Sequence, residues 1–223
     1  MSLPRFSPVL FDFDGTIVDT APGIVTALAA TLDHFGLPAE EPSTLRNRIG
    51  PPLPEIVASL TGFVDEQLTE AIAFYRAQRG GGLAGIQNSE IFPGMLELIL
   101  ELKAAGVPLG IATSRPQHSA ENALNYFELT SHFTAVVGSD EDAGRKTKGD
   151  VVAEALRQLR AAGAEVDPAR TLLLGDRIHD AEGGAEHGIN VLLVDWGYGT
   201  EAEAAGTLGY ARGPEDVRKV LFG

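Results

Sequence analysis

The 223-residue sequence has no cysteine. Disulfides, thiolate metal sites and thiol nucleophiles are therefore excluded, and the cysteine count leaves the redox compartment open, although a disulfide-free protein suits the cytoplasm. No stretch approaches the roughly 18 apolar residues that a transmembrane helix needs. The N-terminus lacks a basic region followed by a long apolar core, so the expectation is a cytoplasmic protein with no membrane partner. Positive charge is scarce too: 17 Lys and Arg stand against 31 Asp and Glu, a formal net charge of −14. Such a field repels polyanions, which argues against nucleic acid polymers and anionic membrane surfaces as partners. A small anion could bind only where local Lys, Arg or a metal ion supplied positive charge.

What is present is ordinary for a soluble globular protein: 44% hydrophobic and 22% charged residues, with 26 Gly and 13 Pro. The length suits one large domain, or a core domain with a smaller insertion. Five short apolar segments read as buried strands: Val9-Leu10-Phe11, Leu109-Gly110-Ile111-Ala112, Ala135-Val136-Val137, Thr171-Leu172-Leu173-Leu174 and Val191-Leu192-Leu193-Val194. Each of the last four is preceded by a helical pattern, expected over 94–106, 116–127, 149–162 and 180–188, with Pro93-Gly94, Gly106, Pro116 and Gly163 as punctuation. Strands alternating with helices predict an α/β fold with a parallel sheet. Residues 20–90 differ. Ile24, Leu28, Thr31, Leu32 and Phe35 recur at helical spacing, as do Leu68, Ala71, Ile72 and Tyr75, which predicts a mainly helical insertion. The Pro-rich run from Arg48 to Pro54 is expected to be a loop, because repeated Pro prevents continuous helix.

The stretch Phe11-Asp12-Phe13-Asp14-Gly15-Thr16 follows the first strand. Alternation puts Asp12 and Asp14 on one face until the chain turns, and two such close carboxylates repel unless a cation or proton intervenes. An Asp-Gly-Thr run alone is often only a turn. A calcium loop is excluded: the EF-hand pattern wants a third oxygen ligand before Gly and a Glu at the last loop position, which counts to Gly23. Three further groups end strands or precede helices: Thr113-Ser114, Lys146 with Lys148, and Gly175-Asp176-Arg177-Ile178-His179-Asp180. Each has a plain reading, as helix cap, solvated charge or tight turn. In a parallel sheet, however, all strand C-termini face one way and can converge on Asp12. Hydroxyls and helix-start N–H groups bind phosphate oxygens, and a carboxylate set suits Mg2+.

Taken together, the ordered motifs at 11–16, 111–114, the lysine before the helix at 149–162, and 175–180 resemble the haloacid dehalogenase superfamily, in particular its phosphoglycolate-phosphatase and 5′-nucleotidase-like phosphatases. The resemblance implies a Rossmann-like core, residues 1–19 and 91–223, with an inserted all-α helical cap, residues 20–90. It implies a phosphomonoesterase in which Asp12 is the nucleophile and becomes a phosphoaspartate, while Asp14 is general acid and then base. It implies Mg2+ held by Asp12, the carbonyl of Asp14 and Asp176, with Asp180 supporting the metal or the lysine. Gly15, Thr16, Thr113 and Ser114 would bind the phosphoryl group. Many relatives carry Lys-Pro-x-Pro at the third motif, where this chain reads Arg145-Lys146-Thr147-Lys148-Gly149-Asp150. Spacing from Leu156 points to Lys146 and subgroup resemblance to Lys148, which is favoured.

The expected partner is a small-molecule phosphate ester, phosphoglycolate or a 5′-nucleotide by class, bound by a monomer or homodimer. Asp14 favours phosphate esters over carbon–halogen bonds, since a departing halide needs no proton. A sugar phosphomutase of the β-phosphoglucomutase kind would share every core motif, and a non-catalytic phosphate- or partner-binding protein could keep the fold. Specificity is expected from the cap, because the core meets only the phosphate that all substrates share. Arg48 and Gly50 are candidates for the leaving group, with a purely structural loop as the alternative. Arg115 is a further candidate, or an exposed helix-start residue. His179 is not taken as a base, because Asp14 fills that role.

Overall fold

Three residues of strand β1 (Val9–Phe11) have no solvent exposure at all, as a central strand covered by helices on both faces requires. The structure is a computed structural model that describes residues 4–49, 51, 53–79, 86 and 88–223. The chain divides into two units, one up to Asp19 and from Ile91 to Gly223, the other from Thr20 to Glu90. After β1, strand β2 (Val18–Asp19) leads out of the first unit.

The second unit is built from α1 (Ala21–His34), α2 (Pro42–Arg46), α3 (Leu53–Thr61) and α4 (Asp65–Arg79). Ala27, Leu28 and Leu32 of α1 form its core with Leu45, Ile56, Leu60 and Tyr75. The helical period read from the sequence is thus the buried stripe of α1. The Pro-rich loop is shorter than expected: α3 begins at Leu53 with Pro54 in its first turn, where a proline lacks no hydrogen bond that the helix would otherwise make.

The chain returns through β3 (Glu90–Ile91), and the Phe92 N–H donates to the Ile17 carbonyl at 2.9 Å. Helix α5 (Met95–Ala104) buries Met95, Leu98, Ile99 and Leu102, one stripe of its surface. Then follow β4 (Leu109–Pro116), α6 (Gln117–Tyr126), β5 (Ala135–Ser139), α7 (Lys148–Ala161), β6 (Leu172–Gly175), α8 (Ile178–Ala185), β7 (Asn190–Val194), β8 (Tyr210–Ala211) and α9 (Pro214–Phe222). The strands form one parallel sheet in the order β5-β4-β1-β6-β7-β8. β1 pairs with β4 in the register Phe11 to Ile111 and with β6 in the register Phe11 to Leu174. The α/β class expected from the sequence is therefore the observed one, and β8 and α9 extend it beyond the expected segments. Leu10 points into a cluster with Val152, Ala155, Leu173 and Val191, while the ring of Phe11 meets Phe133 edge-on at 6.0 Å on the other face.

The order in which strands are added reverses at β1: β4 and β5 lie on one side, β6 to β8 on the other. Such a switch point opens a crevice at the carboxyl ends of the central strands. Two helices start earlier than expected for local reasons. Thr147 caps α7 in a reciprocal box with Asp150, so Lys148 rather than Gly149 is its first residue. The Asp180 carboxylate accepts the N–H groups of Asp176 and Arg177 at 3.1 Å each, which brings the start of α8 forward to Ile178. No described helix is long and apolar enough to cross a membrane.

Truncating Leu10, which is fully buried, to Ala is expected to cost about 2–5 kcal/mol. Leu100→Ala on α5, where the side chain is 44% exposed, is expected to change stability by no more than about 0.5 kcal/mol. Urea denaturation midpoints of the two variants check the contrast.

Candidate active site

Asp12 follows β1 directly, and its N–H donates to the Leu174 carbonyl of β6 at 2.8 Å, so the strand-to-strand ladder fixes the residue's backbone. Its Oδ1 meets Lys148 Nζ at 2.7 Å, and the same ammonium lies 2.6 Å from Asp180 Oδ1. The lysine comes from the first turn of α7 and Asp180 from the first turn of α8. Three distant segments therefore meet at one buried cation, which retains 8% of its surface. Burial alone would lower the pKa of Lys148, but Asp12 and Asp180 outweigh it and hold the ammonium above its ordinary range.

Asp176, at the end of β6, is 1% exposed. The loop after β7 grips it: the Tyr198 N–H donates to its Oδ2 at 2.7 Å. A Cβ on Gly197 would lie 2.3 Å from the Asp176 Cβ, and one on Gly15 would lie 2.2 Å from Asp176 Oδ2. Gly15 also has φ +80°, a second reason for glycine there. Trp196 of the same loop donates its indole N–H to the Thr16 carbonyl at 3.0 Å, and the Tyr198 hydroxyl donates to Asp19 at 3.2 Å.

Asp12, Asp176 and Asp180 present carboxylate oxygens within 4.8 Å of one another. Three carboxylates against one ammonium leave two negative charges, the charge of one divalent cation. Burial pushes the Asp12 carboxyl up to about 6, with Lys148 opposing and Asp180 adding to the rise; burial and the charge of Asp12 likewise push Asp176 upward. Hard oxygen donors carrying surplus negative charge in a desolvated place fit Mg2+. Asp180 is expected to support either the metal or the lysine. Asp180 faces Lys148 with Oδ1 and two backbone N–H groups with Oδ2, so it holds the lysine and its own helix start.

Asp14 stands apart from this cluster. Its carboxylate is forked by Arg115, with Nε to Oδ2 at 2.9 Å and Nη2 to Oδ1 at 2.5 Å. Arg115 is therefore not an exposed helix-start residue; it reaches across from the end of β4. Burial opposes the charge on Arg115, but Asp14, with Asp12 and Tyr198 adding to it, outweighs burial, so the guanidinium pKa is shifted upward. Thr113 is buried, and its Oγ1 accepts the Arg115 N–H at 3.2 Å, whereas Ser114 is exposed and its carbonyl accepts the Ser139 hydroxyl. Thr16 is enclosed completely, so its carbonyl anchors the Trp196 loop and its hydroxyl does not open onto the crevice.

One of the two candidate lysines is not part of the cluster. Lys146 is exposed and stands outside the carboxylate cluster; it lines a cavity of about 380 Å³ with Ser114, Thr147, Lys148 and Glu186. The reason is the Thr147 cap, which makes Lys148 helical and leaves Lys146 before the helix. Arg48 is paired within the helical unit, bonded to Glu40 at 2.8 and 2.5 Å and to the Ser59 hydroxyl at 3.3 Å. These bonds hold its loop within the helical unit, as the structural alternative expects. Gly50 lies outside the described residues. His179, not taken as a base, has its side chain 51% exposed beside Glu182. Sequence reasoning missed the Trp196–Gly199 loop, although its place after a strand C-terminus is the same signal that singled out Asp12.

The family model of haloacid dehalogenase-like hydrolases matches residues 9–194. The tyrosine-protein kinase PtkA of Mycobacterium tuberculosis is 38% identical over 200 residues, 89% of this chain. The match spans 66% of that kinase's length. A 5′-nucleotidase of Pseudomonas aeruginosa is 31% identical over 89% of this chain and 87% of its own length. A haloacid dehalogenase-like hydrolase from Streptococcus pneumoniae superposes with a TM-score of 0.83 at 28% identity, covering 96% of this chain and 98% of that one.

An acid whose pKa is raised by folding favours the folded state most below its unfolded value, here 3.8, and that advantage is lost as pH climbs through about 6. Adding Mg2+ is therefore expected to raise the melting temperature by roughly 5–10 °C at pH 7.5 when present at about 100 times its dissociation constant, and by less at pH 5, where protons compete. Thermal unfolding with and without the ion at both pH values measures this.

Proposed function

The chain belongs to the haloacid dehalogenase-like hydrolase family, and we propose that it is a Mg2+-dependent phosphomonoesterase acting on a small metabolite through a phosphoaspartate on Asp12. The observation that carries this reading is the Asp12 carboxylate at the tip of β1, held by Lys148 2.7 Å away, with a second carboxylate two residues on. In the first step an Asp12 oxygen attacks phosphorus, the ester P–O bond breaks, and Asp14 gives its proton to the departing alkoxide. In the second, water attacks the aspartyl phosphate and passes its proton to Asp14. The P–O bond to Asp12 then breaks, and inorganic phosphate leaves.

Lys148 orients the Asp12 carboxylate, while Ser114 and the N–H groups after β1 and β4 take the phosphoryl oxygens. Asp12, Asp176 and the Asp14 carbonyl would hold Mg2+, which when bound neutralises charge on those oxygens. The helical unit, 20–90, is assigned the choice of leaving group. The name of the Pseudomonas relative supports a 5′-nucleotide, and the motif resemblance supports phosphoglycolate equally.

The mycobacterial relative favours a second reading. At 38% identity to a tyrosine-protein kinase, the same phosphoaspartate would be discharged onto a tyrosine hydroxyl in place of water. A phosphomutase would discharge it onto a sugar hydroxyl. Phosphate release with Mg2+ across phosphoglycolate, nucleoside monophosphates, sugar phosphates and pyrophosphate separates these. Hydrolysis predicts stoichiometric inorganic phosphate, whereas transfer predicts a phosphorylated tyrosine peptide or sugar instead.

Asp12→Asn is expected to lower turnover by roughly 10³-fold or more with the protein still folded. Lys148→Ala is expected to lower turnover strongly, and Lys146→Ala to leave it near normal. Substantial phosphate release from folded Asp12→Asn would contradict the nucleophile assignment, and equal rates for the two lysine variants would contradict the assignment of Lys148.

A further inference from the structure

We propose that Arg115 is a positioning residue for the acid–base step, acting through Asp14 and not on the substrate. The assignment rests on the proposed role of Asp14 as acid and base. Arg115 lies at the irregular end of β4, where the pairing with β5 shifts register between Ala112 and Pro116. The shift carries its side chain to a residue 101 positions earlier. There the guanidinium is fixed from three sides. Nε and Nη2 fork the two carboxylate oxygens of Asp14, Nη1 donates to the Ser119 hydroxyl at 3.0 Å, and the Phe13 ring lies under Cζ at 5.6 Å.

Three of the five guanidinium N–H groups thus already donate to protein oxygens, and with the side chain 8% accessible Arg115 is poorly placed to serve as the substrate's own clamp. The planar fork holds a carboxylate in one orientation, something the point charge of a lysine does not do. The exposures point the same way: the Arg115 side chain is 8% accessible, but that of Asp14 is 27%. The fork meets each Asp14 oxygen from one side only, so it can hold the carboxyl group whether or not that group carries its proton. Asp14 is therefore held from its closed side and keeps an accessible side for proton exchange. Misplacing a reacting group by about 1 Å costs on the order of 10²-fold in rate, which is the scale on which such a holder matters.

The test compares wild type, Arg115→Ala and Arg115→Lys on two esters with Mg2+: the alkyl phosphate turned over fastest in the phosphate-release screen, and 2,4-dinitrophenyl phosphate. Dinitrophenolate departs without a proton, so formation of the phosphoenzyme from that ester does not need the acid. For Arg115→Ala, kcat/KM is expected to fall roughly 10–100-fold on the alkyl ester and by less than about three-fold on the dinitrophenyl ester. Stopped-flow traces should show a burst of dinitrophenolate before slow turnover, because Asp14 as base is misplaced too. Arg115→Lys, which keeps the charge without the fork, is expected to show the same split at smaller size. Equal losses on both esters would overturn the assignment, as would a raised KM with unchanged kcat, which marks direct contact with substrate. Wild-type protein that releases phosphate from no ester fails the functional reading itself, independently of the Arg115 variants.

Discussion

A lysine ammonium enclosed between two carboxylates holds the crevice end of the sheet together. Lys148, Asp12 and Asp180 come from the starts of α7 and α8 and the tip of β1, and none keeps more than 8% of its surface. Desolvating such ions costs several kcal/mol each, so the arrangement persists only because the 2.7 and 2.6 Å contacts and the backbone bonds to Asp180 answer each charge. Removing one partner would strand a buried charge. The cluster is therefore a constraint on the fold as much as a device for chemistry.

The same balance of charge divides the site in two. Asp14 is held through both carboxylate oxygens by Arg115. Asp12, Asp176 and Asp180 with Lys148 retain two negative charges, and burial raises the Asp12 and Asp176 carboxyls accordingly. One half is thus suited to hold a hard divalent cation and the other to keep a carboxylate oriented and partly accessible. In a chain of net charge −14, a phosphate dianion finds attraction only where such local cations gather.

Much of this was legible from residue patterns. Five sheet strands are short apolar runs with helices between the later ones, and the stripes of α1 and α5 follow the helical period. Asp12, Asp176, Asp180 and a lysine at 146 or 148 were legible because parallel strands share one direction, so groups after strand ends gather there. Element starts were less so, since capping by Thr147 and Asp180 decides them through single hydrogen bonds. β8 has only two residues, too few for any periodicity to mark it. The Trp196–Gly199 loop was passed over because its work is done by backbone: the Tyr198 N–H on Asp176, and glycines where a Cβ would collide.

The residue order by itself determined the α/β class, the helical character of 20–90 and the ordered motifs that place the chain in its family, since each is carried by local spacing and side-chain type. Only the tertiary structure decided which lysine meets Asp12, that Asp180 holds that lysine, that Arg48 pairs with Glu40, and that Arg115 forks Asp14. Those outcomes turn on hydrogen-bond geometry of a few tenths of an ångström. Two of them join residues more than a hundred positions apart, and no local pattern encodes either their distance or their direction.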